Sequence, residues 1–378
     1  MIKQEVASVF ENKFGQQPLM VFSPGRLNII GEHTDYNDGF VFPAAIDKGI
    51  YAAFGRSDSE LCKVTALDMK ESYEFTLDMV TPLENGGWRN FILGVVYGIL
   101  ASGKKIAPFN LTFGGDIPEG AGLSSSAALE NAVVFGLNEL FHLKLSKKEM
   151  MLISQKAEHN YVGVKCGIMD QFASMFGQKD TALLLDCRSI SAKPFTIDLQ
   201  EYQILLINTN VKHSLSDSAY NKRRAVCEKV ASLLNIKALR DANKTLLSSI
   251  TDVITNEEYQ MALYVIQENE RAQKAGIAMQ KNNITELGQL MYASHHGLQH
   301  QYKVSCDELD FLVDLAKLNP DIVGSRMMGG GFGGCTINII KKKAIKNYIK
   351  KATSAYLENF ERNCSVYEVS LSQGTHLI

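Results

Sequence analysis

The chain has 378 residues, 46% of them hydrophobic, which is enough for a sizeable core and too long for one domain, since single cores stop growing beyond about 250 residues. Thirty-nine Lys and Arg against 41 Asp and Glu leave a formal net charge of −2, so no global field draws nucleic acid or an anionic membrane, and any anion site must be local. The seven cysteines are odd in number, widely spaced and without a CxxC pair, which reads as reduced thiols and argues against a disulfide framework or structural zinc.

Along the chain, Met1 to Ala7 opens an amphipathic helix instead of an apolar signal region, and no uninterrupted apolar run of 18 follows. A soluble, cytoplasmic protein is expected. A short strand at Val21-Phe22-Ser23 leads into Gly25-Arg26-Leu27-Asn28-Ile29-Ile30-Gly31-Glu32-His33-Thr34-Asp35-Tyr36, read as a loop. Its Arg, Glu, His and Asp can hydrogen-bond several hydroxyls of a polyol, and its glycines allow close backbone approach. A helix is predicted over 90–101. The segment Gly98 to Lys105 nearly spells a P-loop, but it ends in Lys where Ser or Thr is needed and follows a helix where a strand is needed. Next, Pro118-Glu119-Gly120-Ala121-Gly122-Leu123-Ser124-Ser125-Ser126 runs straight into a helical stretch at Ala128 to Val134. Free N–H groups at that helix start, the positive end of its dipole and three hydroxyls form a cradle for an anion such as phosphate. Another helix is predicted over 147–162, and Asp170 reads as a cap or first-turn acid of the next.

A strand at Ala182 to Asp186 follows; after Pro194-Phe195-Thr196-Ile197-Asp198 the pattern changes, and a boundary is placed near 195, dividing the chain into 1–195 and 196–378. The second part opens with the strand Tyr202 to Asn208, continues with long helical periods over 220–317, and reaches Gly324-Ser325-Arg326-Met327-Met328-Gly329-Gly330-Gly331-Phe332-Gly333-Gly334-Cys335. So dense a glycine run points to backbone lying close to a ligand. The strand Thr336 to Ile340, a Lys-rich helix over 342–358 and a strand at Ser365 to Val369 follow, an arrangement that suits a ferredoxin-like sandwich. His295, His296 and His300 do not share one helix face and read as ordinary helix residues, and the lysines of 341–351 as a solvated face.

These three segments, in this order, resemble the three motifs of the GHMP small-molecule kinases, and residues 25–39 resemble the galactokinase signature within that superfamily. Further matches lie at Cys166 to Gln171 and Tyr220 to Arg224; Met328 and Phe42 depart from the usual pattern. The resemblance implies an α+β, two-domain fold: an N-terminal ribosomal-S5-like domain and a C-terminal ferredoxin-like one. It implies ATP-dependent phosphorylation of galactose at its C1 hydroxyl by a monomer that binds neither nucleic acid nor membrane. In such a site Asp170 is the base and Arg26 its partner. Glu32, on the 6-hydroxyl side, His33, Thr34, Asp35, on the 3- and 4-hydroxyls, Gly167 and Tyr220 hold the sugar. Gly120, Ala121, Gly122, Leu123, Ser124, Ser125 and Ser126 cradle ATP, and Ser126 and Glu158 hold Mg2+. The Trp88 segment is a candidate border of the adenine. A sibling kinase of N-acetylgalactosamine or arabinose, or a galactose and ATP sensor, is the alternative.

Overall fold

The computed structural model describes residues 2–118, 120–197, 199–211 and 216–378; Met1, Glu119 of the second glycine-rich segment and Asp198 near the expected boundary lie outside them. Helix α1 (Ile2–Phe14) buries Val6 and Phe10, four positions apart on one face, against the first sheet. That sheet is built from β1 (Leu19–Asn28), β3 (Pro43–Arg56), β4 (Cys62–Ala66), β5 (Glu71–Phe75) and β6 (Phe109–Gly115), with β2 (Phe40–Val41) set apart from it. Helices α2 (Trp88–Ala101), α3 (Ser125–Phe141) and α4 (Lys147–Ala157) follow, then α5 (Met169–Phe176). The first three share with the sheet a core that includes Phe54, Val95, Leu111, Val133 and Leu137. Strands β7 (Thr181–Asp186) and β8 (Ser191–Thr196) make a small antiparallel sheet with β2.

The rest of the chain is β9 (Tyr202–Asn208), the helices α6 (Ser216–Leu233), α7 (Lys244–Ser248), α8 (Asn256–Gln280), α9 (Ile284–Gly297) and α10 (Asp307–Lys317), then β10 (Ile322–Met327), β11 (Cys335–Lys341), α11 (Ile345–Phe360) and β12 (Ser365–Val369). The antiparallel order β10-β11-β9-β12 is the β-α-β-β-α-β arrangement of a ferredoxin-like sheet, with α6 to α10 filling the first crossover. Strand β9 shows why its apolar run is unbroken. Ile204 and Leu206 face a core shared with Leu27, Phe42 and Ala272, while Leu205 and Ile207 face α10 and α11, so both sides of the strand are buried. The chain then returns to the first sheet, where β13 (His376–Leu377) pairs with β1.

Two local departures from the sequence reading matter for the site. Arg26 lies on β1, not in a loop, because the strand continues to Asn28 through a register shift between Pro24 and Arg26. The helix expected over 147–162 starts at a capping box of Ser146 and Glu149, but ends its α-helical part at Ala157; a π-helical turn, Glu158–Val162, carries the chain on to Gly163 at φ 87°. No helix among the described residues is long and apolar enough to cross a membrane.

Candidate active site

A cavity of about 130 Å³ lies where the two parts of the chain meet, lined by Arg26, Glu32, His33, Asp35, Glu158, Cys166, Asp170 and Tyr220 with the backbone of Gly329 and Gly330. The turn after β1 brings in the acidic residues. Gly31 takes φ 97°, and a Cβ there would stand 2.5 Å from the Phe40 carbonyl, so only glycine closes this turn. Its N–H donates to Glu268 on α8 at 2.8 Å, and Asn269 on the same helix accepts from the Phe40 N–H at 2.8 Å. Thr34, fully buried, donates its hydroxyl to the Gly31 and Phe40 carbonyls, so it closes the loop from within and does not line the cavity.

Asp35 is turned into the cavity over Gly167, where a Cβ would run into its carboxylate. Burial and the neighbouring Asp170 push the Asp35 carboxyl up to about 7. His33, at φ 63°, shares a hydrogen bond with the Tyr36 hydroxyl at 2.8 Å, and its Nε2 is buried beside the Gly330 backbone with no hydrogen-bond partner of good geometry. Burial and the charge of Arg223 lower its pKa to about 3, so the imidazole is neutral at working pH. The Tyr220 ring packs against His33 and Tyr36 at 5.5 and 5.2 Å.

Glu32 is held by three donors. Its Oε2 accepts from Asn28 Nδ2 at 2.7 Å and from Arg326 Nη2 at 2.5 Å, and its Oε1 from the Gly329 N–H at 2.8 Å. Of the roughly four lone-pair sites on a carboxylate, about one is left on Oε1 for a sugar. Arg326, wholly buried on β10, also donates to the carbonyls of Ile29, Asn28 and Met327. The buried pair thus ties the end of β1 to the third glycine loop.

Across the cavity, Arg26 grips Asp170 in a bidentate pair, Nε to Oδ1 at 2.8 Å and Nη2 to Oδ2 at 2.7 Å. Burial opposes the guanidinium charge, but Asp170, with Glu32 and Asp35, outweighs it and the Arg26 pKa is raised. Arg26 is also fastened to the second glycine segment: Nη1 donates to the Gly122 carbonyl at 2.5 Å and its backbone N–H to Leu123 at 3.1 Å. Ala121 and Leu123 anchor that segment in the core, while Gly120, Gly122 and Ser124 take positive φ. Ser124 precedes α3 without capping it and donates instead to Asp170 Oδ2 at 2.7 Å. The start of α3 therefore keeps its dipole and its N–H groups available to an anion.

In the first turn of α3, Ser126 Oγ donates to Glu158 Oε1 at 3.2 Å, and Gln171 Nε2 reaches Glu158 Oε2 at 3.1 Å. Glu130 lies against Glu158, fully buried, and that burial together with Glu158 raises its pKa well above the carboxylate range.

Of the residues singled out in sequence, Arg26, Glu32, His33, Asp35, Glu158, Asp170 and Tyr220 meet at one cavity, and Ser124 and Ser126 reach its acids from α3. Trp88 packs in the first core, edge-on to Phe113 at 5.5 Å, and donates to Glu71 at 2.8 Å. His295 is buried, with Nδ1 accepting from the Met327 N–H at 3.2 Å and Nε2 beside Asp310. No group of three or more His, Cys, Asp or Glu among the described residues could hold a metal. Sequence reasoning passed over Arg326, Glu130, Gln171 and the α8 residues. Arg326 in a strand of apolar neighbours and Glu130 in the apolar face of α3 were signals of a buried partner; Glu268 and Asn269, in an ordinary amphipathic helix, gave none.

Three family models match the chain: the galactokinase galactose-binding signature over residues 8–56, the N-terminal domain of GHMP kinases over 90–178 and their C-terminal domain over 277–358. A galactokinase of Thermotoga neapolitana is 39% identical over 360 residues, which is 95% of this chain and all of that protein. A galactokinase of Chloroflexus aurantiacus is 40% identical over 355 residues, 92% of this chain and 91% of that one. The crystal structure of Lactococcus lactis galactokinase complexed with galactose covers both chains in full with a TM-score of 0.95 at 32% identity. Mevalonate kinase of Methanococcus jannaschii, at 16% identity and a TM-score of 0.68 over 94% of this chain and 99% of that one, shares the fold.

Proposed function

We propose, from the premise that this chain belongs to the galactokinase family, that it transfers the γ-phosphoryl group of ATP to the C1 hydroxyl of α-D-galactose, giving galactose 1-phosphate and ADP. The observation that carries the reading is the position of Asp170, held by Arg26 and Ser124 on the wall of the same cavity that Asp35 and Glu32 enter. Three donors occupy three of the roughly four lone-pair sites of that carboxylate, leaving about one on Oδ1 to accept the C1 hydroxyl. The hydroxyl is thereby aimed at the phosphoryl group before it reacts. In a loose transition state its proton leaves late, to Asp170, so orientation contributes as much as basicity.

Arg26 has five N–H donors, three of them committed to Asp170 and Gly122; the remaining two can meet oxygens of the moving phosphoryl group. Gly120 to Ser126 cradle the phosphates at the start of α3. An oxygen-only pair suits a hard cation, and Ser126 and Glu158 would hold Mg2+, which neutralises phosphate charge when bound. Asp35 accepts from the 3- and 4-hydroxyls, and Glu32 offers its remaining site to the 6-hydroxyl. His33, Gly167 and Tyr220 complete the pocket.

The test is a panel of galactose, glucose, N-acetylgalactosamine and arabinose with ATP and magnesium, followed by ADP release and by the 31P signal of an anomeric phosphate. Galactose-dependent ADP and a C1 phosphate are expected. Turnover of N-acetylgalactosamine or arabinose without galactose would move the reading to a sibling kinase. Tight galactose and ATP binding without ADP release would make the protein a sensor.

A further inference from the structure

Glu130 has no place in the chemistry described so far, yet it sits one helical turn beyond Ser126, on the same face of α3. It is 0% exposed among apolar neighbours of the first core such as Leu129 and Val133. Its Oε2 accepts from Gln171 Nε2 at 3.3 Å, the same amide nitrogen that reaches Glu158 Oε2 at 3.1 Å, while its Oε1 has no hydrogen-bond partner. Gln171 Oε1 and Asn131 Oδ1 are likewise buried without a partner. Gln171 Nε2 is thus the shared donor that sets Glu130 and Glu158 side by side, while Glu158 faces Ser126 through Oε1.

We propose that Glu130 is a positioning residue for the divalent metal of the reaction: through the Gln171 amide that both acids share, it fixes the Glu158 carboxylate toward Ser126. The proposal rests on the reading of Ser126 and Glu158 as the metal-holding pair. Metal-supporting groups behind the ligands are worth about 10- to 100-fold in affinity.

The probe is Mn2+, titrated into the protein with saturating galactose and a non-hydrolysable ATP analogue, with free Mn2+ read by its electron paramagnetic resonance. Glu130→Met keeps a side chain of similar length but removes the acceptor of the Gln171 amide, and is expected to weaken Mn2+ binding about tenfold. Galactose affinity measured without metal should stay within about twofold, which a general loosening of the fold would not allow. Gln171→Met, which removes the shared donor itself, is expected to weaken Mn2+ as well, and stands as the second variant should Glu130→Met fold poorly. Unchanged Mn2+ affinity in both, with Ser126→Ala and Glu158→Gln weakened, overturns the role of Glu130 alone. Unchanged affinity in Ser126→Ala and Glu158→Gln overturns the metal-holding pair, and the role of Glu130 with it.

Discussion

A carboxylate that accepts from two sugar hydroxyls has to be ionised, yet Asp35 is buried beside Asp170 and its pKa is pushed up from 3.8 to about 7. Since the folded protein holds this proton more tightly than the unfolded chain, Asp35 makes the unliganded protein less stable as pH rises from about 4 to about 7. Galactose binding has the opposite dependence, because it draws on the ionised form. Calorimetric Kd for galactose is expected to tighten roughly tenfold between pH 6 and pH 8, as the ionised fraction grows. In Asp35→Asn that slope should vanish, and a slope that survives there belongs to another group. Gly167→Ala tests the same contact from the other side, since its Cβ meets the Asp35 carboxylate. Displacing a positioning group by about 1 Å can cost as much as roughly 10²-fold, so a large loss of kcat/KM for galactose is expected. An unchanged value would mean that the loop gives way freely.

Helix α8 belongs to the second part of the chain but governs the sugar loop of the first. Glu268 takes the Gly31 N–H, Asn269 takes the Phe40 N–H, and the Tyr264 hydroxyl donates to the Glu32 carbonyl at 3.0 Å. Asn269→Ala leaves the Phe40 N–H unpaired, at a cost of about 1–3 kcal/mol borne by the loop. Its effect should fall on the KM for galactose while the KM for ATP stays near wild type; equal rises in both would indicate a general loss of fold. The elements themselves are largely legible in sequence, because the periods of β9, α3 and the 220–317 helices follow from which faces are buried. Less legible are the places where geometry is set from afar. Arg26 reads as a loop residue because Pro24 and Gly25 look like a strand terminator, whereas pairing with β3 carries β1 through them. The π-helical turn at Glu158–Val162 has no composition of its own. The Glu32 and Arg326 pair is separated by 294 positions, so neither local pattern announces the other.

At the scale of the molecule, the sugar loop, the phosphate cradle and the third glycine loop are each fastened by a few long-range contacts, and the C-terminal segment adds two more. The Thr375 hydroxyl meets Ser23 on β1 at 2.9 Å and the Ser174 carbonyl on α5 at 2.9 Å, joining the two elements that present Arg26 and Asp170. Deleting residues 374–378 removes these bonds and β13, and is expected to lower both the melting temperature and kcat; a truncated protein with full kcat would show that β1 and α5 hold their spacing unaided. Phosphoryl transfer to the sugar depends on that spacing and on Asp170 above all. The decisive comparison is therefore the kcat of wild type and of Asp170→Asn with galactose and Mg·ATP, each with its galactose Kd. An amide fills the same volume but cannot take the proton, so kcat should fall on the order of 10²- to 10⁴-fold while the Kd changes little. Turnover near wild type in the purified variant would contradict the assignment of Asp170, and with it the mechanism built on the Arg26 pair.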